Sequence, residues 1–380
     1  MPFFSFSINK TKPSLTKFNI TANNVYFSKN TQLWKILNKQ HSSFINFMKQ
    51  EKRLSIKKIG KTILFCLPPS IGLGDAIEYA TAIKKVSENI ALDKVAVAFS
   101  GDYTFLFEDV FKIENLYPFV IKKTEIDKFD TVFQLTLEIK SLVNQKYSRS
   151  NIFEEIINFF NIKKIEGKKI ESQRNNTINK ISIFPVSASP IRTMPINILS
   201  ELIEILKKDY CIEIFLDKNL EISNFLYNNI TVDNVVIVDP KDKYDLISSI
   251  NNIQYGLFMD SGPLHVAKMF NKRGVLLETS VSTKILLKNY NLIKSVENEF
   301  SSVFCKAPCG LTDIFNYKNN FGCYDSLKIK SSYFKNNNFK NMINRGVKNY
   351  YLENIKKPVG CLSSLNVQNI HNVIKKDLSL

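Results

Sequence analysis

Three short stretches of this sequence gather side chains that could do chemistry, and each stretch directly follows an apolar run. They are GLGDAI (72–77), SASPIRTMP (187–195) and DSGPLH (260–265). Carboxylates can accept protons, a guanidinium can clamp phosphate, and glycine lets a ligand approach the backbone closely. Residues of these types indicate a ligand-binding site, and phosphate is a natural ligand for its arginine.

The first stretch places two glycines between a strand and a helix. Gly72 and Gly74 predict a tight loop with its backbone close to a ligand, and Asp75 opens the helix. A dinucleotide-binding fingerprint would need a third glycine where Ile77 stands, so that class of site is disfavoured. Aspartate is also common at helix starts for structural reasons alone, and the motif by itself leaves both interpretations of Asp75 open.

The second stretch places an arginine beside a predicted helix start. Ser187, Ser189 and Arg192 lie in a loop before a helix whose first turn contains Pro195. A guanidinium next to a helix N-terminus is suited to binding phosphate. A lone loop arginine is more often simply solvated, so this motif is weak when taken alone.

The third stretch is the richest in polar groups. Asp260 ends an apolar run, Ser261 is placed to cap the next helix, and Pro263 fits its first turn. The N–H of Gly262 could point at a phosphate oxygen, and His265 lies near the same place. A capped helix explains the serine and the proline, but it does not explain Asp260, Gly262 and His265 together.

The elements that must position these residues alternate between strand and helix from residue 59 onward. Such alternation predicts an α/β fold with parallel βαβ units and helices on both faces of the sheets. A charged, non-periodic segment at 163–180 separates two such halves. We therefore expect an N-terminal extension (1–58), an N-terminal domain (59–170) and a C-terminal domain (171–380). In the extension, the apolar spacing within 32–54 predicts one or two amphipathic helices.

Composition narrows the classes of protein further. The 380 residues carry a net charge of +17, which favours anionic partners such as phosphorylated substrates or an anionic membrane surface. An AT-rich genome would produce the same excess of lysine, and the lysines are spread along the chain. We expect no nucleic-acid partner because no such motif is present. The chain has neither an apolar run of 18 residues nor the order of a secretion signal, so the expected location is the cytoplasm or the inner membrane face.

Cysteines near the C-terminus raise the question of a metal. Cys305, Cys309, Cys323 and Cys361 could supply four thiolates to a structural zinc ion, but paired C-x2-C spacing is absent. The prediction is that the protein has no metal site, with the zinc alternative left open.

Taken in order, the motifs resemble glycosyltransferase family 9, the ADP-heptose:lipopolysaccharide heptosyltransferases and their relatives. The similarity rests on GLGDAI, ASPIRTMP, MDSGPLHVAKMF and CKAPC...GCYDSL, and it covers roughly residues 60 to 375. It implies a GT-B fold, in which two Rossmann-like domains face a central cleft. It also implies an inverting transfer in a single displacement, without a metal or other cofactor. The acceptor would bind mainly to the N-terminal half and a nucleotide sugar to the C-terminal half.

The resemblance also implies catalytic roles. Asp75 matches the general base that takes the proton of the acceptor hydroxyl, and Gly72 and Gly74 match the loop beside it. Arg192 stands where the family usually has lysine, and it would neutralise the diphosphate leaving group.

Donor-binding roles follow from the same resemblance. Ser187, Ser261 and Gly262 match positions that contact the donor, the last two by donating to its phosphates. Asp260 and His265 would shape the pocket and contact the sugar.

The resemblance also points to the nucleoside site. Asp217 is the candidate for nucleoside binding, with Glu221 as its alternative.

Two residues depart from the family pattern. Met194 replaces the usual aromatic residue and Arg192 the usual lysine, which puts the identity of the donor in doubt more than the chemistry.

The sequence thus predicts a glycosyltransferase that moves a sugar, with ADP-heptose as the donor the family suggests, to a lipopolysaccharide-type or other surface glycan or glycolipid. The alternative is a protein of the same fold that binds nucleotide sugars without turnover.

Overall fold

The computed structural model describes fourteen stretches of the chain, which are residues 4–8, 18, 20, 24–28, 45–48, 59–68, 71–135, 151–162, 178–230, 233–288, 290–302, 307–310, 355–358 and 360–379. The chain divides into two compact units. Unit 1 comprises residues 1–144 and 152–164, and unit 2 comprises residues 145–151 and 165–380.

Unit 1 contains a parallel four-stranded sheet with the order β6-β5-β4-β8. Its strands are β4 (Thr62–Cys66), β5 (Lys94–Ala98), β6 (Asn115–Tyr117) and β8 (Thr131–Gln134). The central strand β4 is buried from Ile63 to Cys66, as expected of a parallel strand covered on both faces. The apolar runs KTILFCLP, KVAVAFS and DTVFQLT form β4, β5 and β8, in agreement with the alternation expected from residue 59 onward.

Helix α1 (Leu73–Asn89) follows β4 and packs on the sheet. Its buried positions include Ala76, Ala80 and Ile83, a spacing of three to four residues that places them on one helical face. A second helix, α3 (Ile152–Phe159), packs against α1. The carboxylate of Glu78 on α1 accepts the backbone N–H of Ile152 at 3.1 Å, so it binds the positive end of α3.

The N-terminal segment adds a second sheet to unit 1, which the sequence did not predict. Strands β1 (Phe4–Ile8), β2 (Val25–Ser28), β3 (Ile45–Met48) and β7 (Val120–Lys122) pair antiparallel in the order β3-β1-β2-β7. The predicted helix is therefore wrong over residues 45–48, while 32–44 and 49–54 lie outside the described residues. Periodicity cannot separate helix from strand in so short an apolar run, and pairing with β1 decides for the strand.

Short elements complete unit 1. A π-helical turn at Leu106–Val110 follows β5, and the one-turn helix α2 (Lys123–Ile126) follows β7.

Unit 2 contains a six-stranded parallel sheet with the order β11-β10-β9-β12-β13-β14. Its strands are β9 (Lys180–Phe184), β10 (Cys211–Phe215), β11 (Val236–Val238), β12 (Tyr255–Phe258), β13 (Gly274–Leu277) and β14 (Ile293–Val296). The strands follow the apolar runs of the sequence, in agreement with the alternation expected for this half.

The helices of unit 2 alternate with its strands, as predicted. They are α4 (Ile196–Leu206), α5 (Glu221–Asn229), α6 (Lys243–Asn251), α7 (Gly262–Met269), α8 (Thr283–Leu286) and α9 (Val367–Leu378). Short 3-10 turns lie at Pro190–Arg192 and Gly360–Ser364. Both units are thus α/β with a parallel sheet, in agreement with the predicted fold class.

Close packing of β12 with its two neighbours, β9 and β13, holds the middle of this sheet together. The rings of Phe184 and Phe258 stack at 5.1 Å. Gly274 lies opposite Gly256, and a Cβ atom on Gly274 would collide with the Gly256 carbonyl oxygen. Glycine is therefore required here by the distance between strands rather than by a turn.

The C-terminal helix α9 is anchored by a buried carboxylate. Asp377 accepts the hydroxyl of Tyr255 at 3.0 Å, and its backbone carbonyl accepts from Arg273 at 2.6 Å. Burial raises the pKa of Tyr255 well above its usual range, and the charge of Asp377 adds to the effect. Among the described residues, no helix is both long enough and apolar enough to span a bilayer.

Candidate functional site

The topology of unit 2 places its candidate site between β9 and β12. The chain leaves β9 toward β10 on one side, and it returns to the other side of β9 with β12. Loops at the carboxyl ends of two such strands diverge and leave a crevice, which is where α/β sheets bind ligands. The stretches 187–195 and 260–265 begin at these two strand ends.

A buried ion pair joins the two stretches. Nη1 of Arg192 donates to the carboxylate of Asp260 at 3.1 Å and to its backbone carbonyl at 3.0 Å. The hydroxyl of Ser187 donates to the same carbonyl at 2.9 Å. The Asp260 side chain is 2% exposed and that of Arg192 is 12% exposed, so this charge pair is largely shielded from water. The structure therefore brings together three residues that the sequence had singled out separately.

Thr193, for which the sequence predicted no role, closes the loop around this pair. Its hydroxyl donates to the carbonyl of Ser189 at 2.9 Å and accepts the backbone N–H of Ser187 at 3.2 Å. A backbone hydrogen bond from the N–H of Met194 to the carbonyl of Pro185, at 2.8 Å, joins the two ends of the loop. These contacts hold Arg192 on a rigid loop, so it is not the mobile, solvated side chain that a lone arginine suggested.

The N-terminus of α7 lies directly after Asp260. Ser261 occupies the position before the helix, but its hydroxyl donates to the carbonyl of Met259 at 3.3 Å instead of capping the helix. Gly262 and Pro263 form the first turn, and His265 is buried within it. Because the serine does not cap the helix and Pro263 has no N–H, the backbone N–H of Gly262 and the positive end of the helix dipole lie at this edge. The N–H of Leu264 donates to the Ser261 carbonyl at 3.2 Å.

The nucleoside candidates lie one strand farther along the sheet. Asp217 follows β10, and its carboxylate accepts the backbone N–H of Asn219 at 2.9 Å, as in an Asx-turn. Glu221 is the first residue of α5 and is exposed. The Asp217 carboxylate is thus bonded within its own turn, and a contact with a nucleoside would be an additional bond.

Unit 1 also has polar residues at the end of a strand, after β4. Gly72 precedes α1, Gly74 lies buried in its first turn, and Asp75 is the third helical residue. The Asp75 carboxylate accepts the backbone N–H of Gly72 at 3.3 Å. Asp75 is partly buried.

A phenol and a second carboxylate lie within one helical turn of Asp75. Burial raises the pKa of Tyr79 well above its usual range, and the negative charges of Asp75 and Glu78 add to the effect. Tyr79 therefore stays neutral at physiological pH, which leaves the two carboxylates as the groups of this turn that can carry charge.

The cysteine hypothesis lies mostly outside what the structure describes. Cys305 and Cys323 are among the residues not described, whereas Cys309 is half-buried and Cys361 is buried. Within the described part of the chain, no group of three or more His, Cys, Asp or Glu side chains is arranged to hold a metal.

A further buried network, missed from the sequence, supports the end of β13. The carboxylate of Glu278 accepts the N–H of Thr283 at 2.7 Å and that of Asn298 at 3.2 Å. The Asn298 amide in turn donates to the carbonyl of Cys361 at 2.6 Å. The signal in the sequence was a carboxylate and several hydroxyls, ETSVST, directly after the buried run GVLL.

Comparison with known proteins finds remote structural likeness only. No protein-family model matches the chain, and no curated protein matches it. A family 9 glycosyl transferase from Veillonella parvula is 14% identical, covers 84% of this chain and 98% of its own, and has a TM-score of 0.48. The ADP-heptose lipopolysaccharide heptosyltransferase II of E. coli is 13% identical over 62% of this chain and 90% of its own, with a TM-score of 0.45.

A third similar structure is an iron-containing dodecameric glycosyltransferase from enterotoxigenic E. coli. It is 11% identical, covers 99% of this chain and 92% of its own, and has a TM-score of 0.46. At TM-scores below 0.5, these likenesses establish no activity for this chain. Its fold class rests on its own sheets, and its function must be inferred from its own side chains.

Proposed function

We propose that this protein is an inverting glycosyltransferase that uses a nucleotide sugar as donor and a glycan or glycolipid as acceptor. The observation that carries the proposal is the placement of Arg192 and the N-terminus of α7 on one edge of the unit 2 sheet, joined through Asp260. A cation fixed beside the N–H of Gly262 and the positive end of a helix is suited to a diphosphate. ADP-heptose is the donor that the sequence motifs favour.

The two units have separate tasks in this proposal. Unit 2 binds the donor, with Arg192 and the N–H of Gly262 at the start of α7 on the diphosphate. Unit 1 supplies Asp75, which binds the acceptor hydroxyl and takes its proton. Asp75 suits that role because it is a partly exposed carboxylate at a strand end, where α/β sheets bind ligands.

The reaction is a single displacement at the anomeric carbon. The acceptor oxygen forms a bond to that carbon while the bond from the carbon to the diphosphate oxygen breaks. The acceptor proton passes to Asp75, and the electron pair leaves with the nucleoside diphosphate. Arg192 and the positive end of α7 stabilise the charge that develops on the leaving group, a task that other enzymes give to a metal ion.

Transfer from a panel of nucleotide sugars, together with calorimetric binding of ADP, tests the proposal. Because Arg192→Ala alone would leave the Asp260 carboxylate buried and unpaired, the variant to use is Arg192→Ala with Asp260→Asn. It should fold and should bind ADP about 10- to 100-fold more weakly, since it lacks the diphosphate cation.

A matched control comes from the opposite end of the same sheet. Arg273 and Asp377 also form an arginine–aspartate pair, with 3.7 Å between Nη2 and the carboxylate. The double variant Arg273→Ala with Asp377→Asn makes the same change of charge there and should leave ADP affinity unaltered. ADP binding without transfer from any donor would refute catalysis in favour of a binding protein, and absence of ADP binding by the wild type would refute the donor site itself.

A further inference from the structure

The hydroxyl groups that the sequence assigned to the donor are already engaged within the protein. Ser187 donates to the carbonyl of Asp260 and Ser261 to that of Met259. A hydroxyl carries only one proton, so neither can donate to a phosphate oxygen without giving up its present bond.

Three other hydroxyl groups near the carboxyl ends of the unit 2 strands are not engaged in this way. Ser189, Thr279 and Ser280 are at most 1% exposed, and their hydroxyls have no hydrogen-bond partner within the described chain. A buried hydroxyl without a partner costs about 1–3 kcal/mol, so such groups are rare unless they serve a ligand or an ordered water.

The strand register places these hydroxyls beside the α7 N-terminus. Phe184 of β9, Phe258 of β12 and Leu276 of β13 are paired side by side. Three residues on from each lie Ser187, Ser261 and Thr279, so the three turns leave the sheet at the same level. Thr279 and Ser280 therefore flank Ser261 and Gly262 on one side, and the loop with Ser189 flanks them on the other.

The turn after β13 is held firmly in place. Glu278 binds the N–H and the hydroxyl of Thr283 at 2.7 and 3.0 Å, and the carbonyl of Ser280 accepts from Gly310 at 2.6 Å. The Ser280 carbonyl thus has a partner, whereas the hydroxyls of Thr279 and Ser280 have none within the described chain. Because a serine or threonine hydroxyl changes direction by rotation about χ1 alone, it can turn to a ligand without backbone movement.

The geometry points to Thr279 and Ser280, with Ser189 opposite, as a second set of donors for the diphosphate of the nucleotide sugar, in addition to Arg192 and α7. This inference rests on the proposed function, because it assumes that the diphosphate lies at the α7 N-terminus. Three neutral O–H donors suit an anion, since they add hydrogen bonds where Asp260 already balances the arginine charge.

Calorimetric binding of ADP and of inorganic pyrophosphate to the full chain tests the inference. Ser280→Ala, Thr279→Val and Ser189→Ala should each weaken both ligands about 10- to 100-fold, as expected for the loss of one hydrogen bond to a charged group. Their melting temperatures should stay level or rise, because an unsatisfied buried hydroxyl has been removed.

Ser223 is the matched control. It is fully buried on α5, and its hydroxyl also has no partner in the described chain, but it lies within a helix rather than at the strand ends. Ser223→Ala should raise or maintain the melting temperature without changing either affinity.

The possible failures are distinguishable. If the wild type binds ADP, the Arg192→Ala/Asp260→Asn variant weakens it, and the three hydroxyl variants bind like the wild type, then the hydroxyls hold only internal water and the inference is overturned. If ADP does not bind to the wild type, the proposed function fails and the inference fails with it. Weaker binding of ADP but not of pyrophosphate would assign the hydroxyls to the nucleoside and would also overturn the inference.

Discussion

The parallel sheets of the two units present polar groups at equivalent places but hold them in different ways. In unit 2, the loops after β9 and β12 are joined by side chains, through Arg192, Asp260 and Ser187. In unit 1, Asp75 after β4 accepts a backbone N–H from its own loop and remains partly exposed. The difference suits the two tasks that we propose for the units. A charged leaving group needs a prearranged cation and fixed dipoles, whereas a base needs an accessible carboxylate.

The largest effect should come from Asp75. Asp75→Ala should lower the transfer rate by about 10²- to 10⁴-fold, the usual contribution of a general base, while ADP affinity stays within twofold of the wild type. Initial rates with saturating donor, together with calorimetry, measure the two quantities separately.

Asp245 is the matched control for that substitution. It is likewise the third residue of a helix, α6, and its carboxylate accepts a backbone N–H, that of Lys241, at 2.9 Å. Asp245→Ala removes the same type of helix-start contact and should leave transfer unchanged. An equal loss of rate in both variants would mean that Asp75 acts on helix stability rather than on chemistry.

A smaller effect, on stability, should distinguish the parallel sheet of unit 2 from that of unit 1. Gly274→Ala pushes a methyl group into the Gly256 carbonyl and should lower the free energy of unfolding by about 2–4 kcal/mol, because backbone must move in a close-packed sheet. Gly72→Ala at the unit 1 strand end meets only the Asp75 carboxylate, at 3.8 Å, and should cost less than 1 kcal/mol. Denaturant titration of both variants compares them, and equal costs would contradict the rigid packing inferred for β12 and β13.

The smallest effect concerns pH and the C-terminal helix. Burial lowers the pKa of His371 on α9, and the neighbouring Lys375 and Lys208 add to the effect while Asp209 opposes it. Since the pKa is lower in the folded than in the unfolded protein, the stabilisation is present above the unfolded pKa of about 6.5 and is lost as the pH falls below it. His371→Gln should therefore flatten the decline of melting temperature between about pH 7 and pH 5. A decline as steep as that of the wild type would assign it to other groups.

Much of the fold was predictable because its elements are long and strongly patterned. Buried parallel strands read as continuous apolar runs, as β12 and β13 do, and the helices of unit 2 show apolar residues at helical spacing. The extension was not predictable in the same way. The run at Ile45–Met48 suits helix or strand equally well, and only its pairing with β1 decides between them.

The candidate site was predictable in its residue types but not in its connections. Arg192 and Asp260 stood out as polar residues after apolar runs, but their ion pair spans 68 positions and depends on β9 and β12 being neighbours. Thr193 gave no comparable signal, and Thr279 and Ser280 gave only the weak one of the stretch ETSVST, because hydroxyl residues are common in loops. Their importance comes from burial, which local sequence does not specify.

The sequence by itself determined the α/β class, the alternation of elements and the polar residues at the strand ends, because these follow from local periodicity and from residue chemistry. Only the tertiary structure decided which strand ends are neighbours, which hydroxyls are already bonded and which have no partner within the described chain. Strand order and burial depend on contacts between residues far apart in sequence, and those contacts decide whether a polar residue at a strand end can bind a ligand.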